Sequence, residues 1–215
     1  MRTRSFGTRL FDRSFLRVLL RHLSPPATNR RALRAAILAA AEEAWRGPGP
    51  WGDDQRAADH RWSACLVLGA DRALTAAGYD RAARHSAIEA AVVEPGRRTI
   101  HFFTRMMLRW SGDPFAAITR YSREQVPPRY GSAFSFSVEE DTPERFVQGV
   151  HQCFFHAFLT AEGAGELTHL FCAFDYTWID AIDPSRDGIR FARPNTIANG
   201  DVICRFEFER TDTAH

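Results

Sequence analysis

The stretch that decides the fold is IRFARPNTIANGDVICRFEFE, residues 189–209. Its Asn199-Gly200 step is the strongest short hairpin signal a sequence offers, because both central residues of a type I′ turn need positive φ. A two-residue turn there pairs Ala198 with Asp201, Ile197 with Val202, Thr196 with Ile203 and Asn195 with Cys204. Directly opposed residues share a face of the sheet. One face then collects Ile189, Phe191, Arg193, Asn195 and Ile197 beside Val202, Cys204, Phe206 and Phe208. Mostly apolar, it is expected to look inward.

Upstream, residues 166–182 carry Leu167, Leu170, Phe171, Phe174 and Trp178 at helical spacing, and Asp183-Pro184 ends the run. Thr142 and Pro143 read as the cap and first position of a helix whose apolar face is Phe146, Val150, Cys153, Phe154, Ala157 and Phe158. Residues 132–139 alternate, with Phe134, Phe136 and Val138 on one face, as a half-buried strand does. The first half reads as helices over about 29–45, 54–77, 80–93 and 98–110. Gly47-Pro48-Gly49-Pro50-Trp51-Gly52 and Pro95-Gly96 interrupt them, and Gly78 closes the second. The expected class is α+β: a helical N-terminal half, then a small antiparallel sheet (strand 132–139 and the C-terminal hairpin 189–209) packed by helices.

Composition narrows the function. The chain has 215 residues, enough for one good core, and a net charge of only +2. All its basic residues are arginines, which removes lysine Schiff-base chemistry. After residue 40 acids interleave with the arginines, so the basic stripe that nucleic acid requires is missing. No stretch approaches the roughly 20 apolar residues of a membrane helix, and no membrane partner is expected. Residues 1–34 hold one acid, Asp12, among many arginines, and Leu10, Phe11, Phe15, Val18, Leu19 and Leu23 form an amphipathic stripe. That basic arm, taken as 1–50, is expected to dock on the domain or on a partner, which leaves room for a homo- or hetero-oligomer. Without an apolar leader, the expected location is the cytoplasm, with Cys65, Cys153, Cys172 and Cys204 as thiols. His151 and His156 are five apart, and no metal motif, phosphate loop or nucleophile elbow is present, so neither metal nor cofactor is expected.

Two places carry chemistry. Arg193 and Asn195 are the polar residues on the inward hairpin face, and Cys204 opposes Asn195. An inward Arg demands an anion. That anion is either a substrate carboxylate, held bidentately, or a structural Asp or Glu. Cys172 and Asp175 are three apart on an expected helix and face the same way. A carboxylate beside a thiol makes it a poorer nucleophile, so Asp175 is the better candidate, as base or as anchor for a substrate amine. Cys172 reads more readily as a small buried apolar residue than as a nucleophile.

Three runs together resemble the L-2-amino-thiazoline-4-carboxylic acid hydrolase family. They are Phe171-Cys172-Ala173-Phe174-Asp175, Arg193-Pro194-Asn195-Thr196-Ile197-Ala198-Asn199-Gly200, and Cys204-Arg205-Phe206-Glu207-Phe208. The resemblance extends more weakly back to about Arg61 and does not cover the first 50 residues, so 51–215 forms the hydrolase-like domain. It implies opening of a cyclic isothiourea to an N-carbamoyl amino acid, with water or a cysteine thiolate adding to an amidine-like carbon. The matching positions are Cys172, Asp175, Arg193, Thr196 and Cys204. Asp175, Cys172 and Cys204 are the implied catalytic residues; Arg193, Asn195 and Thr196 would bind substrate. Where the family pattern has Asp and Arg around the penultimate Phe, this chain has Arg205 and Glu207, expected to pair with each other on the solvated face.

Three functions fit. The first is C–N bond hydrolysis on a small, cyclic, zwitterionic amino-acid derivative. The second is a same-scaffold enzyme of specialised metabolism that closes a strained ring by elimination or cyclisation. The third is a non-catalytic binding subunit, which a filled interior with Asp175 and Arg193 paired to each other would favour.

Overall fold

The computed structural model describes residues 6–49, 51–52 and 54–211. In chain order its helices are α1 (Phe6–Leu23), α2 (Ala27–Arg46), α3 (Gln55–Ala76), α4 (Arg81–Trp110), α5 (Pro114–Glu124) and α6 (Val126–Tyr130). Strands β1 (Ser135–Asp141) and β2 (Arg145–Gln152) follow, then the short helices α7 (Phe154–Ala161), α8 (Thr168–Cys172), α9 (Tyr176–Ile179) and α10 (Pro184–Asp187). Strands β3 (Ile189–Ala192) and β4 (Cys204–Arg210) complete the fold, which is α+β. The chain divides into two compact units, one of Met1–Pro95 with Phe154–Phe174 and one of Gly96–Cys153 with Asp175–His215. No described helix is long and apolar enough to cross a membrane.

In the first unit, α3 is the central element. Its N-terminus is capped by Asp54, whose carboxylate accepts from the Ala57 N–H at 2.8 Å. Gly78 follows its C-terminus at φ +81°, a left-handed conformation that glycine adopts without strain. Helices α2 and α3 cross at Gly69, where a Cβ would lie 2.6 Å from the Ala41 nitrogen and 2.7 Å from the Ile37 carbonyl oxygen. Helix α1 packs on α3 and buries Phe15, Leu16, Val18 and Leu19, whereas Leu10 faces solvent. The Trp62 indole donates to Asp12 at 2.6 Å.

The second unit is built on a four-stranded antiparallel sheet in the order β1-β2-β4-β3. Its core joins Leu108, Phe115, Ile118, Phe146, Ile189 and Phe208, with Trp178 packed against them. Strands β3 and β4 pair as Ile189 with Arg210, Phe191 with Phe208 and Ala192 with Glu207. That is the register an Asn199-Gly200 turn prescribes. The turn itself differs: the ladder stops at Ala192, two residues before Pro194, which has no N–H to donate. Residues Ile197–Asn199 form a 3-10 turn ending at Gly200, φ +94°. Val202 is consequently 91% exposed, not inward as expected, and Ile203 is buried in its place.

Three further expectations are corrected. The segment expected to open a helix at Thr142 is instead a β-hairpin, with Thr142 N–H bonded to the Arg145 carbonyl at 2.8 Å. Strand β2 lies between β1 and β4, so Phe146, Val147, Gln148, Gly149 and Val150 are all buried. A strand covered on both faces loses its alternation, and its apolar run then mimics a helix stripe. Helical backbone also continues through Pro95 inside α4, where a stop was expected. The expected single helix over 166–182 is broken into α8, a 3-10 turn at Ala173–Asp175, and α9.

Candidate functional site

Arg193 follows β3 directly and Asp175 ends the 3-10 turn before α9, both within the second unit. Their side chains meet: Arg193 Nη1 lies 3.1 Å from Asp175 Oδ2, with 10% and 15% of the two side chains exposed. The inward arginine thus has a carboxylate of its own chain as partner, one of the two alternatives its position posed. Its guanidinium carbon sits 4.7 Å from the centroid of the Phe206 ring, a cation–π contact on β4. Trp178 bonds to the Asp175 carboxylate and stacks on Phe206 and Phe208 at 6.3 and 6.1 Å.

Burial pushes the Asp175 carboxyl up to about 6, while the Arg193 charge and the Trp178 bond pull it down. Removal from water disfavours the ionised form more than one cation restores it. The result is a carboxylate that exchanges protons near neutrality.

Cys204 is buried, and its sulfur receives the Ile197 N–H at 3.2 Å and Arg193 Nη2 at 3.9 Å. It belongs to a cluster with Val150 and Ile197, against which Phe134, Phe136, Cys153 and Phe206 pack. Tyr130 joins the same neighbourhood, its ring 4.7 Å from Phe134 and 5.6 Å from Phe136. Burial raises its phenol above the ordinary value, and the charges of Asp175 and Cys153 raise it further.

The remaining expected residues are placed differently. Asn195 turns to a polar network, not to the ion pair. Its Oδ1 accepts from Arg205 Nη1 at 3.1 Å, and its Nδ2 donates to Asp201 at 3.4 Å. The strand geometry that would have aligned it with Arg193 ends at Ala192. Thr196 gives its backbone N–H to Asp201 at 2.8 Å. Cys172 ends α8 and belongs to the first unit, separated along the chain from Asp175 by the break in the expected helix. Arg205 and Glu207 do not pair with each other. Arg205 reaches over Gly149 of β2, which has no side chain to block it, to Glu139 on β1 at 2.7 Å, and Glu207 takes Arg145 on β2 at 3.0 Å.

Sequence reading missed Tyr130, Cys153 and Trp178 as neighbours of the pair, whereas Phe206 was already placed on the face of Arg193. It also missed Gln148, the one polar side chain on the inner face of β2, whose segment was read as a helix. Among the described residues no group of three His, Cys, Asp or Glu is arranged to hold a metal ion.

No curated protein matches the sequence. Among solved structures, it is similar to that titled "Crystal structure of Fe(II) unliganded H-NOX protein from K. algicida", with 13% identity over 96% of this chain and 97% of that one. The TM-score is 0.38, too low to carry any argument. The family described as L-2-amino-thiazoline-4-carboxylic acid hydrolase matches residues 60–208, which include the ion pair, the whole sheet up to Phe208 and the hairpin turn. On the strength of that match, which spans well over half its length, the chain belongs to the L-2-amino-thiazoline-4-carboxylic acid hydrolase family.

Proposed function

We propose that the protein hydrolyses a small, cyclic, zwitterionic amino-acid derivative of the amidine type, with Asp175 and Arg193 at the reacting centre. The observation that carries this reading is the ion pair itself: a carboxylate poised at about 6 beside a guanidinium, both little exposed. Arg193 binds the substrate carboxylate as a two-pronged donor. Asp175 accepts a proton from the water that adds to the amidine carbon, and its pKa near the working pH suits a general base. The tetrahedral adduct then collapses by expelling a ring heteroatom, which takes the proton back from Asp175. With the thiazoline, expulsion of sulfur gives the N-carbamoyl amino acid and a free thiol. On a ring closed through nitrogen, the same addition breaks a C–N bond.

The test is incubation of the purified chain with L-2-amino-thiazoline-4-carboxylate, reading product mass and released thiol. One water added and one thiol per turnover are expected; no turnover by well-folded protein sinks the reading. Asp175→Asn and Arg193→Ala should each lower turnover by ~100-fold or more, and kcat/KM should rise with pH through about 6 as Asp175 ionises.

The same pair supports a second reading. With Asp175 and Arg193 bonded to each other at 3.1 Å, they also suit a binding subunit in which the pair is structural. No turnover by the well-folded wild type, with Asp175→Asn changing stability alone, would favour that alternative.

A further inference from the structure

The inner face of the sheet carries one buried polar side chain that the mechanism above leaves unused. Gln148 sits mid-way along β2, 5% exposed, with Phe146 and Val150 as its neighbours on the same face. Its Nε2 donates to the Ser122 carbonyl oxygen at 3.0 Å. Since that partner only accepts, the amide orientation is fixed, and Oε1 is turned the other way. Among the described residues no hydrogen bond reaches Oε1, yet it is not sealed from solvent. Gln148 also lines a groove of about 370 Å³, together with Arg123, Gly131, Phe134, Phe136 and Val138 among others. Open to solvent and with no donor of the described residues against it, this oxygen is available to accept from a ligand N–H.

Neither Asp175 nor Arg193 lines this groove. They are nevertheless close to it along the sheet. Gln148 is the direct cross-strand partner of Phe206, and Phe206 is the ring over which the Arg193 guanidinium lies. Opposed residues on neighbouring strands share a face, about 5 Å apart. The groove and the ion pair therefore stand on one face of the sheet. The groove has the chemistry for the other end of a zwitterion. Its walls are the Phe134 and Phe136 rings, whose faces attract cations, and its one arginine, Arg123, is already bonded to Asp141.

We propose that Gln148 and this groove form the subsite for the N–H-bearing amidinium end of the ligand, the Gln148 amide oxygen accepting from the exocyclic amine. The substrate class is taken from the function proposed above; the subsite rests on the groove and the unbonded oxygen. Gln148 is then a specificity-determining residue, selecting amino-substituted rings over rings that lack the amine. A site built around a hydrogen bond rejects the analogue that cannot make it far more strongly than an apolar site rejects a missing methylene.

The experiment titrates the full chain, by ligand-observed NMR, with 2-amino-2-thiazoline and with 2-methyl-2-thiazoline, which keeps the shape and lacks the donor. The wild type should bind the amino compound at least ~10-fold more tightly, as one buried charge-assisted hydrogen bond allows. In Gln148→Met the preference should fall to within about threefold, while Val138→Trp, placed at the exposed rim, should weaken both ligands. Arg193→Ala should leave the preference intact, since neither probe has a carboxylate. A wild-type preference below threefold, or one that survives in a cooperatively melting Gln148→Met, overturns the proposal. Should that variant not fold, unchanged binding in Val138→Trp overturns it. Turnover of the thiazoline carboxylate that neither variant alters would remove the subsite and leave the proposed function. Selective probe binding without turnover would do the reverse.

Discussion

Replacing Arg193 by Met should destabilise the protein in a way that depends steeply on pH. Asp175 ordinarily titrates at 3.8 and here at about 6. At 1.36 kcal/mol per pH unit, holding it ionised in the folded chain costs about 3 kcal/mol even with Arg193 present. The sign follows from the raised value: Asp175's favourable contribution is complete below 3.8 and is lost as pH climbs through about 6. Without Arg193 the carboxyl moves higher still, and the chain folds with it protonated. At pH 8 that neutral form costs about 5–6 kcal/mol relative to an unfolded carboxylate, so the extra loss over wild type is about 2–3 kcal/mol. At pH 5 Asp175 is mainly protonated in either protein. There only the Phe206 contact and the packing of the stem are lost, about 1 kcal/mol. Urea unfolding at pH 5 and pH 8, followed by circular dichroism, reads the difference. A loss equal at the two pH values would refute the reasoning, because the carboxylate would then not be what Arg193 compensates. Arg193→Met combined with Asp175→Leu should return to within about 1 kcal/mol of wild type, since apolar replacements of a buried pair are often neutral. That result would also mean the pair is kept for something other than stability.

Three other outcomes are expected. Gly69→Ala places a methyl against the Ala41 and Ile37 backbone, which cannot turn aside, so α2 and α3 must separate; a loss of about 2–3 kcal/mol is expected in thermal melts, and a loss under ~0.5 would contradict the crossing. Gly149→Ala meets only side-chain ends, at Ile203, Glu139 and Ser137, and should cost less than Gly69→Ala in the same assay. Burial pushes the Cys65 thiol up to about 12, so it should resist iodoacetamide in the native protein and react on unfolding, as peptide mapping would show; prompt native labelling would place it elsewhere.

How much of this was legible depended on which periodicity survived folding. The β3–β4 register was readable because Asn199-Gly200 fixes it and because Phe191, Phe206 and Phe208 share one face. Its end was less so, since Pro194 stops the ladder and turns Asn195 and Val202 to other surroundings. Strand β2 was not readable as a strand, for burial on both faces erases the alternation that would identify it. That single misreading also hid Gln148, which reads as an ordinary polar position on a helix. Arg193 was legible as an inward cation, and the carboxylate it meets is Asp175. That the two meet depends on how the loop after β3 approaches the 3-10 turn before α9, and such a long-range contact leaves no local mark in either segment. Arg205 and Glu207 were paired by proximity along the chain when their partners, Glu139 on β1 and Arg145 on β2, come from other strands of the sheet.

The closed bond between Arg193 and Asp175 also sets a condition on what can enter. A ligand that brings one charge frees one half of the pair and strands the other half in a poorly solvated place. A ligand that brings both signs exchanges partner for partner, and the enclosed charge sums to zero before, during and after. The proposed site would therefore select for overall electroneutrality as much as for shape. Esterifying a bound amino acid derivative, or acylating its amine, should weaken binding by similar factors, although the two changes remove opposite charges.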